Sequence, residues 1–158
     1  MQKVAELNLD KIDKAILTEL QRDGRLANVQ LAARVGLSES ACLRRVRALE
    51  ESGAIDQYVM LVNQAAIGKP GNVLVRVSLE GQQKEKLAGF EEAIKNVPEV
   101  MECYLMSGEI DYQLRIVVRN AADYERLHNE LTSLPGVLRI HSSFALRTVL
   151  KKTEIPIS

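Results

Sequence analysis

The chain has 158 residues, 46 % of them apolar and 27 % charged, with 21 basic residues against 21 acidic ones. This is the profile of a soluble globular protein of one ordinary domain or two small ones, and it excludes a disordered chain. No apolar run approaches the roughly 18 residues of a membrane helix, the polar start "MQKVAELNLD" is no signal peptide, and cytoplasmic residence is the expectation.

The first elements read as helices. Leu9, Ile12, Ile16, Leu17 and Leu20 recur at helical spacing, with Asp10 placed to cap the helix and Gly24 to stop it. In "NVQLAARVG" Asn28 caps, Leu31, Ala32 and Val35 face inward, and Gly36 ends the turn. Ser38 then caps a third helix that runs to Gly53. Three short helices, the last two joined by a tight glycine turn, form a helix-turn-helix pattern.

Charge is balanced in both parts of the chain, nine basic and nine acidic residues up to Met60 and twelve of each after it. Any nucleic-acid signal must therefore be local. It lies between Arg34 and Arg47, where four arginines meet a single acid, Glu39. On the third helix Cys42, Val46 and Leu49 mark the buried stripe. At about 100° per residue, Arg44 falls nearly opposite that stripe, with Ser40, Arg47 and Glu51 flanking it on the outer face. Arg45 lies nearer the buried edge, where its stem packs and its head bonds a neighbouring helix or carboxylate. Arginines on an outer face suit guanine and phosphate, and serine hydroxyls suit either. A solvated amphipathic helix would carry the same pattern.

After Gly53 the period changes. "AIDQYVMLVN" predicts a strand over 57–62, and "AAIGKPG" marks a boundary. "NVLVRVSLE" then alternates, with Val73, Val75, Val77 and Leu79 on one face and Arg76 and Ser78 on the other. An amphipathic helix through Leu87, Phe90, Ala93 and Ile94 follows. "VMECYLMS" and "DYQLRIVVR" are two strands about the turn "GEI", which joins two central strands. "AADYERLHNELTSL" is a helix and "VLRIHSSFAL" a last strand, and Pro-x-Val precedes each of the strands that follow the two helices. The order βαββαβ gives an antiparallel sheet with two helices on one face. The domains expected are residues 1–56, a hinge strand and linker over 57–70, and residues 71–158.

Cys42 and Cys103 carry no partner pattern, so two buried, reduced thiols are expected. With His128 and His141 they show no spacing typical of a zinc site, and neither a metal nor a cofactor is expected. Nor does the sequence offer a nucleophile–base pair or a phosphate loop. The sheet also hosts acyl-phosphate hydrolysis, but these residues speak against an enzyme. A small-molecule-binding module without DNA binding is the alternative.

Four stretches, "LDKIDKAILTELQRDGRLANVQLAARVGLS", "LRRVRALEESGAI", "PEVMECYLMSGEIDYQLRI" and "LPGVLRIHSSFAL", together make the chain resemble the leucine-responsive/asparagine-type (Lrp/AsnC, feast/famine) transcription regulators of bacteria and archaea over essentially its whole length. The resemblance implies an α+β protein with an N-terminal winged helix-turn-helix, a hinge strand and a C-terminal ferredoxin-like βαββαβ domain. It implies double-stranded DNA and an amino-acid effector as partners, a homodimer formed through the sheet and assembling to an octamer, and a cytoplasmic, nucleoid-associated protein.

Carried over by position, DNA contacts fall on Ser38, Glu39, Ser40, Arg44 and Arg47. Family members frequently show Pro-Thr-Pro after the serine cap, where this chain has "ESA", so base preference does not transfer. The effector loop matches "SGEIDY" through Ser107, Gly108, Glu109 and Asp111, with Glu109 standing where the family's Gly-Asp-x-Asp has its first aspartate. In that loop a glycine lets backbone N–H groups approach a carboxylate, and Glu109 or Asp111 could bind an α-ammonium. Ser142 and Ser143 on the last strand add hydroxyls. A simple β-turn with an exposed aspartate would also satisfy the sequence. A monomer would be left exposing the valine-rich face or unpaired strand edges.

Overall fold

Asp10 opens the first helix, α1 (Lys11–Arg22), with a capping box: its side chain accepts from the Ile12 and Asp13 N–H groups, and Asp13 returns the bond to its backbone. The computed structural model describes residues 7–157. Helix α2 (Asn28–Val35) is capped by Ala27 rather than by Asn28, whose side chain instead reaches forward to the Glu39 carbonyl at 2.8 Å. The amide is thus used to hold two helices together instead of closing one end. Gly36 takes a left-handed conformation (φ 71°) that only glycine adopts freely, and turns the chain into α3 (Glu39–Glu51). Ile16, Leu17, Leu31, Ala32, Cys42 and Leu49 close the core of this three-helix unit.

The unit is completed from the far end of the sequence. Residues 7–61 and 150–157 form one compact body, and residues 62–149 the other. Gln21 exchanges two hydrogen bonds with the Ile155 backbone (3.1 and 2.6 Å), Arg22 pairs with Glu154, and Ile157 packs against the helical core. The last residues, expected with the second domain, therefore belong structurally with the helices. The strand expected over 57–62 forms no ladder with any segment among the described residues. Tyr58, Val59, Met60, Leu61 and Val62 are all exposed.

The second unit has the order β1 (Gly71–Leu79), α4 (Lys84–Ile94), β2 (Val100–Leu105), β3 (Tyr112–Val118), α5 (Ala121–Thr132), β4 (Val137–Phe144). The strands form one antiparallel sheet in the spatial order β2-β3-β1-β4, so loop 106–111 joins an edge strand to a central one rather than two central strands. Period two sorts every strand. Val73, Val75, Val77, Tyr112, Leu114 and Ile116 pack beneath Phe90 and Ile94 of α4 and Leu127 and Leu131 of α5. The valine face is thus covered within one chain, and its burial requires no second copy. The opposite face carries Leu74, Arg76, Ser78, Gln113, Arg115, Arg139, His141 and Ser143. Cys42 is buried as expected, whereas Cys103 is exposed on the edge strand β2. Partial desolvation and then Glu91 push the Cys103 thiol up to about 11, so it stays protonated at neutral pH.

Candidate DNA-binding and effector surfaces

Helix α3 begins at Ser38, whose Oγ accepts from the Ala41 N–H at 3.3 Å and lies 3.4 Å from Ser40 Oγ. Ser38, Glu39 and Ser40 are exposed at the first turn. Steps of four and three residues then place Ser40, Arg44 and Arg47 together with Leu43, Ala48 and Glu51 around a shallow depression of about 350 Å³. Arg44 and Arg47 are exposed and, among the described residues, make no ion pair. Arg45 does the opposite. Its guanidinium meets Asp10 at 2.7 Å and Asp13 at 2.8 Å, tying α3 to the start of α1. The Asp13 N–H first, and Arg45 after it, hold the Asp10 carboxyl below its usual range. Arg34 is similarly engaged, with Glu19 at 2.7 Å. The basic segment thus divides into arginines that hold the helices together and a pair, Arg44 and Arg47, that makes no ion pair among the described residues.

In the second unit, Gly108 has φ 126°, a conformation closed to side-chain-bearing residues, and it turns the loop between β2 and β3. Ser107, Gly108 and Glu109 are exposed there. Asp111 is not: it is 7 % exposed, and its carboxylate accepts from the Leu79 N–H at 2.7 Å and from Gln82 Nε2 at 2.7 Å. Its backbone also donates to the Val77 carbonyl, and its carbonyl accepts from Met106. Asp111 is therefore a clamp that fixes the loop to the end of β1, where the bulge at Ser78/Leu79 leaves the Leu79 N–H to be answered by a side chain. The exposed aspartate of a simple β-turn is not what forms, and neither is a free ligand carboxylate.

The two serines of β4 part company. Ser142 lies opposite Val75 on the helix-covered face, and its hydroxyl bonds to Tyr124 of α5. Ser143 lies opposite Leu74 on the open face. Adjacent strand residues point to opposite sides, so the pair cannot serve one ligand.

The open face gathers residues the sequence had left unconnected. Arg76 pairs in register with His141, and Ser78 with Arg139. With Glu109 and Ile110 from the loop they line a cleft of about 240 Å³. Alternation alone puts Arg76 and Ser78 on this face; their meeting with Arg139 and His141 depends on a register that a single strand does not reveal.

A helix-turn-helix unit with exposed arginines on its second helix, and an α+β unit with a polar cleft beside a glycine loop, define the class: a DNA-binding regulator with a ligand-binding domain. Residues 9–56 match the winged helix-turn-helix DNA-binding family, and residues 72–155 match the Lrp/AsnC ligand binding domain. The chain belongs to the Lrp/AsnC family of transcriptional regulators.

It is 45 % identical to the Bkd operon transcriptional regulator of Pseudomonas aeruginosa, over 94 % of this chain and 98 % of that one. It is 42 % identical to the leucine-responsive regulatory protein of Escherichia coli, over 82 % and 80 % of the two chains. Among solved structures, a Neisseria meningitidis transcriptional regulator in complex with L-Met superposes with a TM-score of 0.89 at 36 % identity, covering 94 % of this chain and 96 % of that one. An AsnC family regulator from Agrobacterium tumefaciens gives 0.90 at 35 % identity, covering 94 % and 97 %. Both curated relatives are named as regulators. Among the described residues, no helix is long and apolar enough to cross a membrane.

Proposed function

We propose that this regulator reads its operator through the outer face of α3, with Arg44 and Arg47 contacting bases or phosphates and Ser38, Glu39 and Ser40 lying at the leading end of the helix. The observation that carries this reading is the contrast along α3: Arg45 is held by two carboxylates, while Arg44 and Arg47 make no ion pair among the described residues. A second helix of a helix-turn-helix presents its first turns to the major groove. Two arginines per copy support only weak binding, since each neutralised phosphate adds roughly 0.9 to the salt slope, so operator affinity requires several copies acting together.

Assembly is supported by the exposed segment 57–62, which is in no ladder among the described residues and carries five large apolar side chains outside any core. The open sheet face adds Leu74 and Tyr104 as exposed apolar groups. A homodimer formed through these surfaces, and an octamer built from dimers, would place several α3 helices on one DNA molecule in the nucleoid. An amino acid is the effector, as L-Met accompanies the Neisseria relative, and it acts by changing how copies are arranged rather than by touching DNA.

The test is a titration of cognate duplex followed by fluorescence anisotropy at several salt concentrations, paired with light scattering. Salt-dependent binding by an assembly of two or more copies supports the reading. A stable monomer at micromolar concentration, or an absence of salt-dependent DNA binding, overturns it.

A further inference from the structure

The chain leaves the third helix under close control. Helix α3 ends at Glu51, and Gly53 turns the backbone. The Ile55 N–H then donates back to the Leu49 carbonyl at 3.1 Å, and the Ile55 side chain packs against the helical core. Three residues further on, the Tyr58 hydroxyl donates to Glu50 Oε1 at 3.0 Å. Segment 57–62 is thus fastened, near its start, to the same helix that carries Arg44 and Arg47.

The Tyr58 ring is seated as well. It lies in a groove that Leu17, Leu20 and Ile55 also line, beside the turn between α1 and α2, where a methyl group on Gly24 would sit 3.5 Å from Cδ1. Partial burial first, and Glu50 second, push the hydroxyl up to about 12, so it keeps its proton and stays a donor throughout the neutral range. Ring and hydroxyl have separable tasks. Between Ile55 and Tyr58 each residue has two soft backbone torsions, and apolar contact is non-directional. The ring alone would permit many exit directions, whereas the hydrogen bond selects one.

Resting on the reading of α3 as the helix that meets the operator and of segment 57–62 as a pairing surface, we propose that Tyr58 is a positioning residue for operator spacing. Its bond to Glu50 fixes the direction in which residues 59–62 leave α3. Two copies joined along this segment about a two-fold axis then hold their α3 helices at one separation and one rotation. Duplex DNA makes a matching demand, because its grooves repeat about every 10.5 base pairs and half-site spacing mirrors the geometry of the dimer. Moving one half-site by two base pairs turns it by about 70° around the duplex. A fastened pair of helices cannot follow that rotation, and an unfastened pair can. Tyr58 therefore acts through Arg44 and Arg47, by deciding whether both copies engage at once. That simultaneous engagement raises affinity through effective concentration and is lost when geometry forbids it.

The experiment is fluorescence anisotropy of the full-length protein with an operator duplex selected by the wild type from a random pool and mapped by footprinting. Its derivatives have the half-sites moved together or apart by one to five base pairs, and one duplex carries a single half-site. The variants are Tyr58→Phe, which keeps the ring, Glu50→Ala, which lies outside the pairing segment, and the two combined. Wild type loses roughly a hundredfold in affinity when the spacing changes by two base pairs. Each single variant loses less than about tenfold over the same change, and the double variant behaves like either single one, because both remove the same bond. Glu50→Ala keeps wild-type affinity for the single half-site and wild-type sedimentation. A flat spacing profile in the wild type, or one that both variants reproduce, overturns the proposal. So does an equal loss on every duplex, which would make the bond structural and nothing more. Either result leaves the reading of α3 standing. If the wild type binds no duplex at all, that reading falls and this inference with it.

Discussion

Helix α3 and the loop after β2 pose the same problem with opposite charges. In each, similar ionic side chains stand close together in the sequence, and in each the structure engages one of them and leaves the others free. Arg45 is held by Asp10 and Asp13 while Arg44 and Arg47 face outward; Asp111 is held by Leu79 and Gln82 while Glu109 faces the cleft. The two cases differ in where the deciding contact comes from. For the arginines, helical phase already separates the inner residue from the outer ones. For the acids, the deciding contact comes from the end of β1, 32 residues earlier, and no local period announces it. A charge within a regular helix declares its side; a charge in a turn is assigned by whatever backbone passes beside it.

The largest effect that tests this contrast is expected from Asp111→Ala. It leaves the Leu79 N–H without its acceptor and releases Gln82, at a cost of about 3 kcal/mol, seen as a lower urea midpoint of the second unit. Glu109→Ala leaves that midpoint where it was. If Asp111→Ala is as stable as wild type, the two acids are equivalent and the distinction collapses.

Arg44→Ala and Arg47→Ala come next. Each is expected to weaken cognate DNA binding by about 2 kcal/mol and to reduce the salt slope where a phosphate contact is lost, with no change in the denaturation midpoint. Anisotropy with cognate and scrambled duplexes separates base reading from phosphate contact. Unchanged affinity in both variants would remove this face from the DNA interface.

Arg45→Ala reverses the pattern. Denaturation of the helical unit moves to lower urea, because Asp10 and Asp13 lose their shared cation, while the intrinsic DNA contacts stay in place. A variant as stable as wild type but defective on DNA would place Arg45 with its neighbours and dissolve the comparison.

The smallest effect concerns pH. The Arg119 guanidinium and N–H, with Arg126 beyond them, hold the Asp123 carboxyl well below its ordinary value of 3.8. A carboxyl whose folded value is depressed stabilises the protein above its unfolded value and loses that contribution as pH falls. The stability difference between wild type and Asp123→Asn should therefore be constant near neutrality and shrink below about pH 4, as read from urea midpoints at successive pH values. A difference that stays flat to the acid end would show that Asp123 acts as a neutral cap and no more.

Much of this protein was decided by sequence alone. Asp10 and Ser38 cap the helices they were expected to cap, Gly36 makes the turn, and the alternation of Val73, Val75 and Val77 yields the covered sheet face. The opposite placement of Ser142 and Ser143 was equally legible, since period two forbids neighbours from sharing a face, although a pair of hydroxyls invites the contrary reading. Tertiary structure alone decided that Asp111 clamps a loop, that Arg76, Arg139 and His141 converge, that residues 154–157 close the helical unit, and that 57–62 forms no ladder among the described residues. The physical reason is range. Caps, turns and hydrophobic periods are set by bonds between residues a few positions apart, whereas register, clamps and returning tails depend on which distant segment the chain brings alongside.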